Sequence, residues 1–81
     1  MRKFKVLING IDKVKNFCDL AIKQDYELSL QCGRYIVDAK SILGIFSLDL
    51  TKAIDLVVET EEIDLEMVKK IFKDYIPTGD M

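Results

Sequence analysis

Ser41 lies in the stretch "VDAKSILGIFSLDL", Val37 to Leu50, as a hydroxyl between a lysine and an apolar run broken by a glycine. Such a serine suits helix capping or modification by phosphate. Asp12 is the second residue placed for chemistry, in Gly10-Ile11-Asp12-Lys13-Val14-Lys15. An acyl phosphate on it would need a cation and converging groups to neutralise the incoming charge, and only Lys13 and Lys15 stand nearby in sequence. A helix cap by Asp12, contributing about 1 kcal/mol, asks for less. The chain has no histidine, so it lacks the commonest general base, metal ligand and proton shuttle. Cys18 and Cys32 are isolated, without C-x-x-C spacing, so neither a metal nor a disulfide is expected. Asp49, Asp55, Glu59, Glu61 and Glu62 lack the ligand spacing of a cation site. No catalytic residue, metal or cofactor is therefore expected, and the chain is read as a non-enzyme.

The composition fits that expectation. A chain of 81 residues makes one domain, 1–81, burying roughly 60–65% of the surface its unfolded form exposes. With 49% hydrophobic residues and a net charge of -2 it reads as soluble and globular. The acidic balance argues against nucleic acid as a partner. Arg2, Lys3 and Lys5 precede Val6-Leu7-Ile8, a run too short for a signal-peptide core or a membrane span, so a cytoplasmic protein without membrane attachment is expected.

The elements that must hold Asp12 and Ser41 follow from periodicity. Phe4, Val6 and Ile8 alternate with polar or flanking positions as a half-buried strand, broken by Asn9-Gly10. Val14, Phe17, Cys18, Ala21 and Ile22 then form one face of a helix from Asp12 to Lys23, with Asp12 at the N-cap. Tyr26, Leu28 and Leu30 mark a second strand, and Gly33 the turn into a third, Arg34 to Asp38. Ser41 is expected to cap a short helix from Ile42 to Phe46, which Ser47 ends. Ile54, Leu56 and Val58 give a fourth strand. A last helix is expected from Glu61 to Tyr75, with Ile63, Met67, Val68, Ile71, Phe72 and Tyr75 inward, ended by Pro77. Tyr26, Tyr35 and Tyr75 are assigned to packing. The order β-α-β-β-α-β-α predicts an α+β fold, with the helices layered on one face of an antiparallel sheet.

The run Lys40-Ser41-Ile42-Leu43-Gly44-Ile45-Phe46-Ser47-Leu48, a K-S-I-x-G-x-x-S-L pattern, resembles the regulatory-serine segment of HPr. HPr is the histidine-containing phosphocarrier of the bacterial phosphoenolpyruvate-dependent sugar phosphotransferase system. The element order resembles that family over essentially the whole chain. The resemblance implies an open-faced β-sandwich whose four strands lie in the order 1-4-2-3. It also implies that Ile42, Leu43, Gly44 and Phe46 belong to a docking surface for protein partners, with Gly44 allowing close approach.

The departures from the family decide the expected function. The family's phosphoacceptor histidine falls at Asp12, and its arginine and proline fall at Val14 and Lys15, although Gly10 and Ile11 match. A phosphohistidine cannot form without an imidazole. A fixed carboxylate at Asp12 imitates a phosphorylated site only in part, since it carries about one negative charge where a phosphate carries nearly two. The resemblance therefore implies a degenerate phosphocarrier that acts by protein–protein contact. It further implies phosphorylation of Ser41 by an HPr kinase and, in that form, binding to a catabolite-control transcription regulator. The alternative is a purely structural interaction module with no phosphate chemistry.

Overall fold

The computed structural model of the chain describes residues 2–77. Its elements run β1 (Lys3–Val6), α1 (Ile11–Ile22), β2 (Leu28–Cys32), β3 (Tyr35–Asp38), α2 (Ile42–Phe46), β4 (Ile54–Val58) and α3 (Leu65–Ile71), followed by a 3-10 turn over Lys73–Tyr75. The four strands form one antiparallel sheet in the order β1-β4-β2-β3. This is the α+β architecture expected from the sequence, with the strand order that the family resemblance implies.

Strand alternation divides the sheet into two faces. Val6, Leu28, Leu30, Ile54, Leu56 and Val58 are buried toward the helices, where they meet Val14, Phe17 and Ala21 of α1, Ile45 of α2, and Val68 and Phe72 beside α3. Phe17 ties the two longer helices together: its ring centroid is 5.1 Å from that of Phe72 and 5.3 Å, edge-on, from that of Tyr75. The other face carries Lys3, Lys5, Asp55, Ser29 and Gln31. On it the ammonium groups of Lys3 and Lys5 lie 3.5 and 3.2 Å from the Asp55 carboxylate.

The ends of several elements differ from the sequence expectation. The last helix starts at Leu65 rather than Glu61, because Asp64 accepts the N–H of Glu66 at 3.1 Å and caps it. Glu61 and Glu62 instead lie in the turn before it, where the Arg2 guanidinium donates to the carbonyls of Thr60 and Ile63. The helix ends at Ile71, and the 3-10 turn that follows brings the Tyr75 carbonyl to the N–H of Leu7 at 2.7 Å. Met67, assigned to the inner face, is exposed.

Candidate functional site

The start of α1 holds Asp12 differently from the expectation. The helix begins one residue earlier, at Ile11, with Gly10 as the N-cap, and Val14 N–H donates to the Gly10 carbonyl at 2.9 Å. Asp12 thus sits inside the first turn and caps nothing. Its carboxylate still meets the positive end of the helix dipole, an effect of about 0.3–1 kcal/mol at an exposed site. Lys13 donates to the Asn9 side chain at 3.3 Å rather than to Asp12. Ile11, beside Asp12, is exposed.

Around Ser41 the polar bonds are dense. Asp38, at the end of β3, accepts twice: its side chain takes the N–H of Lys40 at 2.9 Å and its carbonyl takes that of Ser41 at 3.0 Å. The chain therefore leaves the strand through a fixed turn. Ser41 has extended backbone angles, its Oγ accepts the Gly44 N–H at 3.2 Å, and its carbonyl accepts the Ile45 N–H at 3.0 Å. It is the N-cap of α2, as the sequence predicts. Ser47 closes the helix, donating through Oγ to the Gly44 carbonyl at 2.6 Å.

Two contacts attach this turn to α1. The Lys40 ammonium donates to the Gln24 carbonyl at 2.8 Å, just past the C-terminal end of α1, where a cation is favoured. The Cys18 thiol donates to the Lys40 carbonyl at 3.5 Å. Burial pushes that thiol above its ordinary 9.0, and the charges of Asp19 and Asp38 push it further. Cys18 is accordingly a packing residue rather than a nucleophile. It lies six positions after Asp12 on α1, about 9 Å along the axis.

Helix α2 divides its five residues between core and solvent. Ile45 is fully buried, whereas Leu43 is 81% exposed, Phe46 44% and Ile42 36%. Three of the five residues of this short helix thus hold apolar side chains in water. At Gly44 a Cβ would lie 3.3 Å from both Ser41 Oγ and Val37 Cβ, so the missing side chain lets α2 close on β3.

Among the described residues no group of three or more His, Cys, Asp or Glu side chains converges as metal ligands would. Thr51 donates to Asp49 from its hydroxyl at 2.6 Å and its N–H at 3.1 Å, which holds that carboxyl below its ordinary 3.8. Glu59 accepts the Ser29 hydroxyl at 2.5 Å. Two open clefts, of about 270 and 380 Å³, lie near Arg2 and near Arg34, and neither is lined by Asp12 or Ser41. Among the described residues no helix is long and apolar enough to cross a membrane. Sequence periodicity missed the exposure of Tyr35 and Ile36 on β3, at 72% and 61%. Tyr35 is not the packing residue expected, because β3 is a sheet edge and its outer flank has no neighbouring strand.

No protein-family model matches the chain, and no curated protein does. Among solved structures, the crystal structure of HPr-C-His from Thermoanaerobacter tengcongensis matches with a TM-score of 0.73 and 23% sequence identity. The match covers 91% of this chain and 89% of that one. The fold is thus HPr-like.

Proposed function

We propose that the chain is an HPr-like protein, related to the phosphoenolpyruvate-dependent sugar phosphotransferase system, that carries no phosphate on histidine and works by binding other proteins. The observation that carries this is the exposure of Leu43, Phe46 and Ile42 directly after Ser41, in a chain without an imidazole. The K-S-I-x-G-x-x-S-L resemblance and the HPr-like fold support the same assignment. Its regulation is phosphorylation at Ser41 by an HPr kinase, and its partner is a regulator of the catabolite-control kind. A dianionic phosphate beside an apolar patch changes what can dock there.

Incubation with phosphoenolpyruvate and the first enzyme of the phosphotransferase system tests the loss of carrier activity. No label is expected on the protein. Label stable to alkali and lost in acid, the behaviour of a phosphoramidate, would overturn the assignment.

A second function, a structural interaction module without phosphate, is favoured by one bond. Ser41 Oγ already accepts the Gly44 N–H, a capping role complete in itself. The two differ in whether Ser41 takes phosphate from a kinase.

A further inference from the structure

We infer that β3 is a self-pairing edge, through which two copies of this chain join their sheets antiparallel about a two-fold axis at Ile36. This stands independently of the α2 surface and of any phosphate on Ser41.

The two edges of the sheet are built differently. On β1, Lys3 and Lys5 occupy the edge and the Tyr75 carbonyl takes the N–H of Leu7, the kinds of charge and cover that discourage strand addition. Strand β3, Tyr-Ile-Val-Asp, has no lysine or proline. Its side chains Tyr35 and Ile36 project from opposite faces, and both are mostly in solvent. Tyr35 lines an open cleft opposite Leu48 and Lys52 of its own chain and still stays largely in solvent. Helix α2 touches β3 at Val37 through Gly44, where the helix has no side chain.

The hydrogen-bonding groups fit the same arrangement. Ala39 N–H donates to the Leu28 carbonyl at 3.0 Å, and Leu30 pairs with Val37 in that register. Alternation in an antiparallel ladder therefore turns the backbone groups of Val37 and Ala39 toward β2, and those of Ile36 and Asp38 outward. The Asp38 carbonyl is taken by Ser41, which leaves the N–H of Asp38 and both backbone groups of Ile36 for a new strand.

The side chains complement themselves in that register. With Ile36 opposite Ile36 of the second copy, Asp38 comes level with Arg34 of the second copy, the turn residue that leads into Tyr35, and Arg34 with its Asp38. Arg34 has no hydrogen bond or ion pair among the described residues, and the only bond of the Asp38 carboxylate is to Lys40 N–H through one oxygen. Each dimer would gain two such ion pairs, together with an apolar Ile36 pair on one face and Tyr35 beside Val37 on the other. An isologous contact demands this kind of self-complementarity.

Sedimentation from micromolar to millimolar concentration, combined with charge exchange, tests the pairing. Wild type should show a reversible monomer–dimer equilibrium. R34E and D38K should each self-associate at least about tenfold more weakly, because each places like charges opposite one another. An equimolar mixture of the two should form heterodimers, since Glu then faces Lys and Arg faces Asp. General unfolding of either variant would not produce that rescue. As a second measurement, Ile36→Cys in a Cys32→Ser background should oxidise to a disulfide dimer, because hydrogen-bonded antiparallel partners have Cα atoms about 5.5 Å apart. Lys5→Cys in the same background should not. A wild-type protein that stays monomeric, a dimer linked equally well through Lys5→Cys, or a mixture that remains monomeric would each overturn the inference.

Discussion

The backbone N–H of Gly44 donates to Ser41 Oγ at 3.2 Å, and a Cβ on Gly44 would stand 3.3 Å from that same oxygen. Cap and glycine meet at one oxygen: any residue at this third helical position can donate its N–H to the serine, and what the absent side chain adds is room beside Ser41 Oγ and Val37 Cβ. Val37 Cβ, also 3.3 Å away, closes the other side. Gly44→Ala gains about 1 kcal/mol of helix propensity but crowds a rigid strand residue, an overpacking cost of about 1–3 kcal/mol. Thermal denaturation should show the variant less stable by about 1 kcal/mol. An increase in stability would mean that α2 can move off β3 freely.

Ser41 variants separate the cap from the charge. Ser41→Ala should lose about 1 kcal/mol in urea denaturation. Ser41→Asp keeps an acceptor at the cap position and should stay close to wild type. Equal losses in the two would show that the Oγ bond contributes nothing.

Exposed and buried residues of α2 should part cleanly. Leu43→Lys changes a side chain that is 81% exposed, so stability should hold within about 0.5 kcal/mol while partner binding falls. Ile45→Ala empties a fully buried position and should cost about 2–5 kcal/mol. Unchanged partner binding by Leu43→Lys would remove the patch from the proposed function.

Stability should fall on the alkaline side. The Cys18 thiol is raised above 9.0 by burial, and the Tyr26 and Tyr75 hydroxyls are raised above 10.0, again chiefly by burial. Above those ordinary values the unfolded chain loses its protons first, so it binds fewer than the native state and unfolding becomes easier as pH rises. The stability present below pH 9.0 should decline through each raised value in turn. Cys18→Ala should flatten the earlier part of the decline in urea titrations between neutral and alkaline pH. An identical slope in the variant would show that Cys18 ionises no later in the native protein than in the unfolded chain.

The sheet and the short helix were legible because alternation and capping are local signals: Leu28 and Leu30, Ile54 to Val58, and Ser41 before Ile42 each state their role within a few residues. What escaped depends on contacts between distant positions. The Asp64 cap starts α3 at Leu65, and the turn before it, which holds Glu61 and Glu62, has its Thr60 and Ile63 carbonyls engaged by Arg2 across most of the chain. Asp12 failed as a cap because the backbone of Gly10 already serves there, a two-residue difference that composition does not encode. The close packing of Gly44 on Val37 shows only once β3 lies beside it. The exposure of Tyr35 and Ile36 belongs to an edge strand, and periodicity alone does not say which strand is an edge; that order came only with the family resemblance.

The central claim is that Ser41, and no histidine, is the point of phosphate control on this HPr-like fold. Incubation with an HPr kinase and ATP, read by intact-mass and fragment spectrometry, tests it most directly. One added phosphate is expected, located on Ser41 and absent from Ser41→Ala. No incorporation into the folded wild-type protein, or a phosphate that persists in Ser41→Ala, would contradict it.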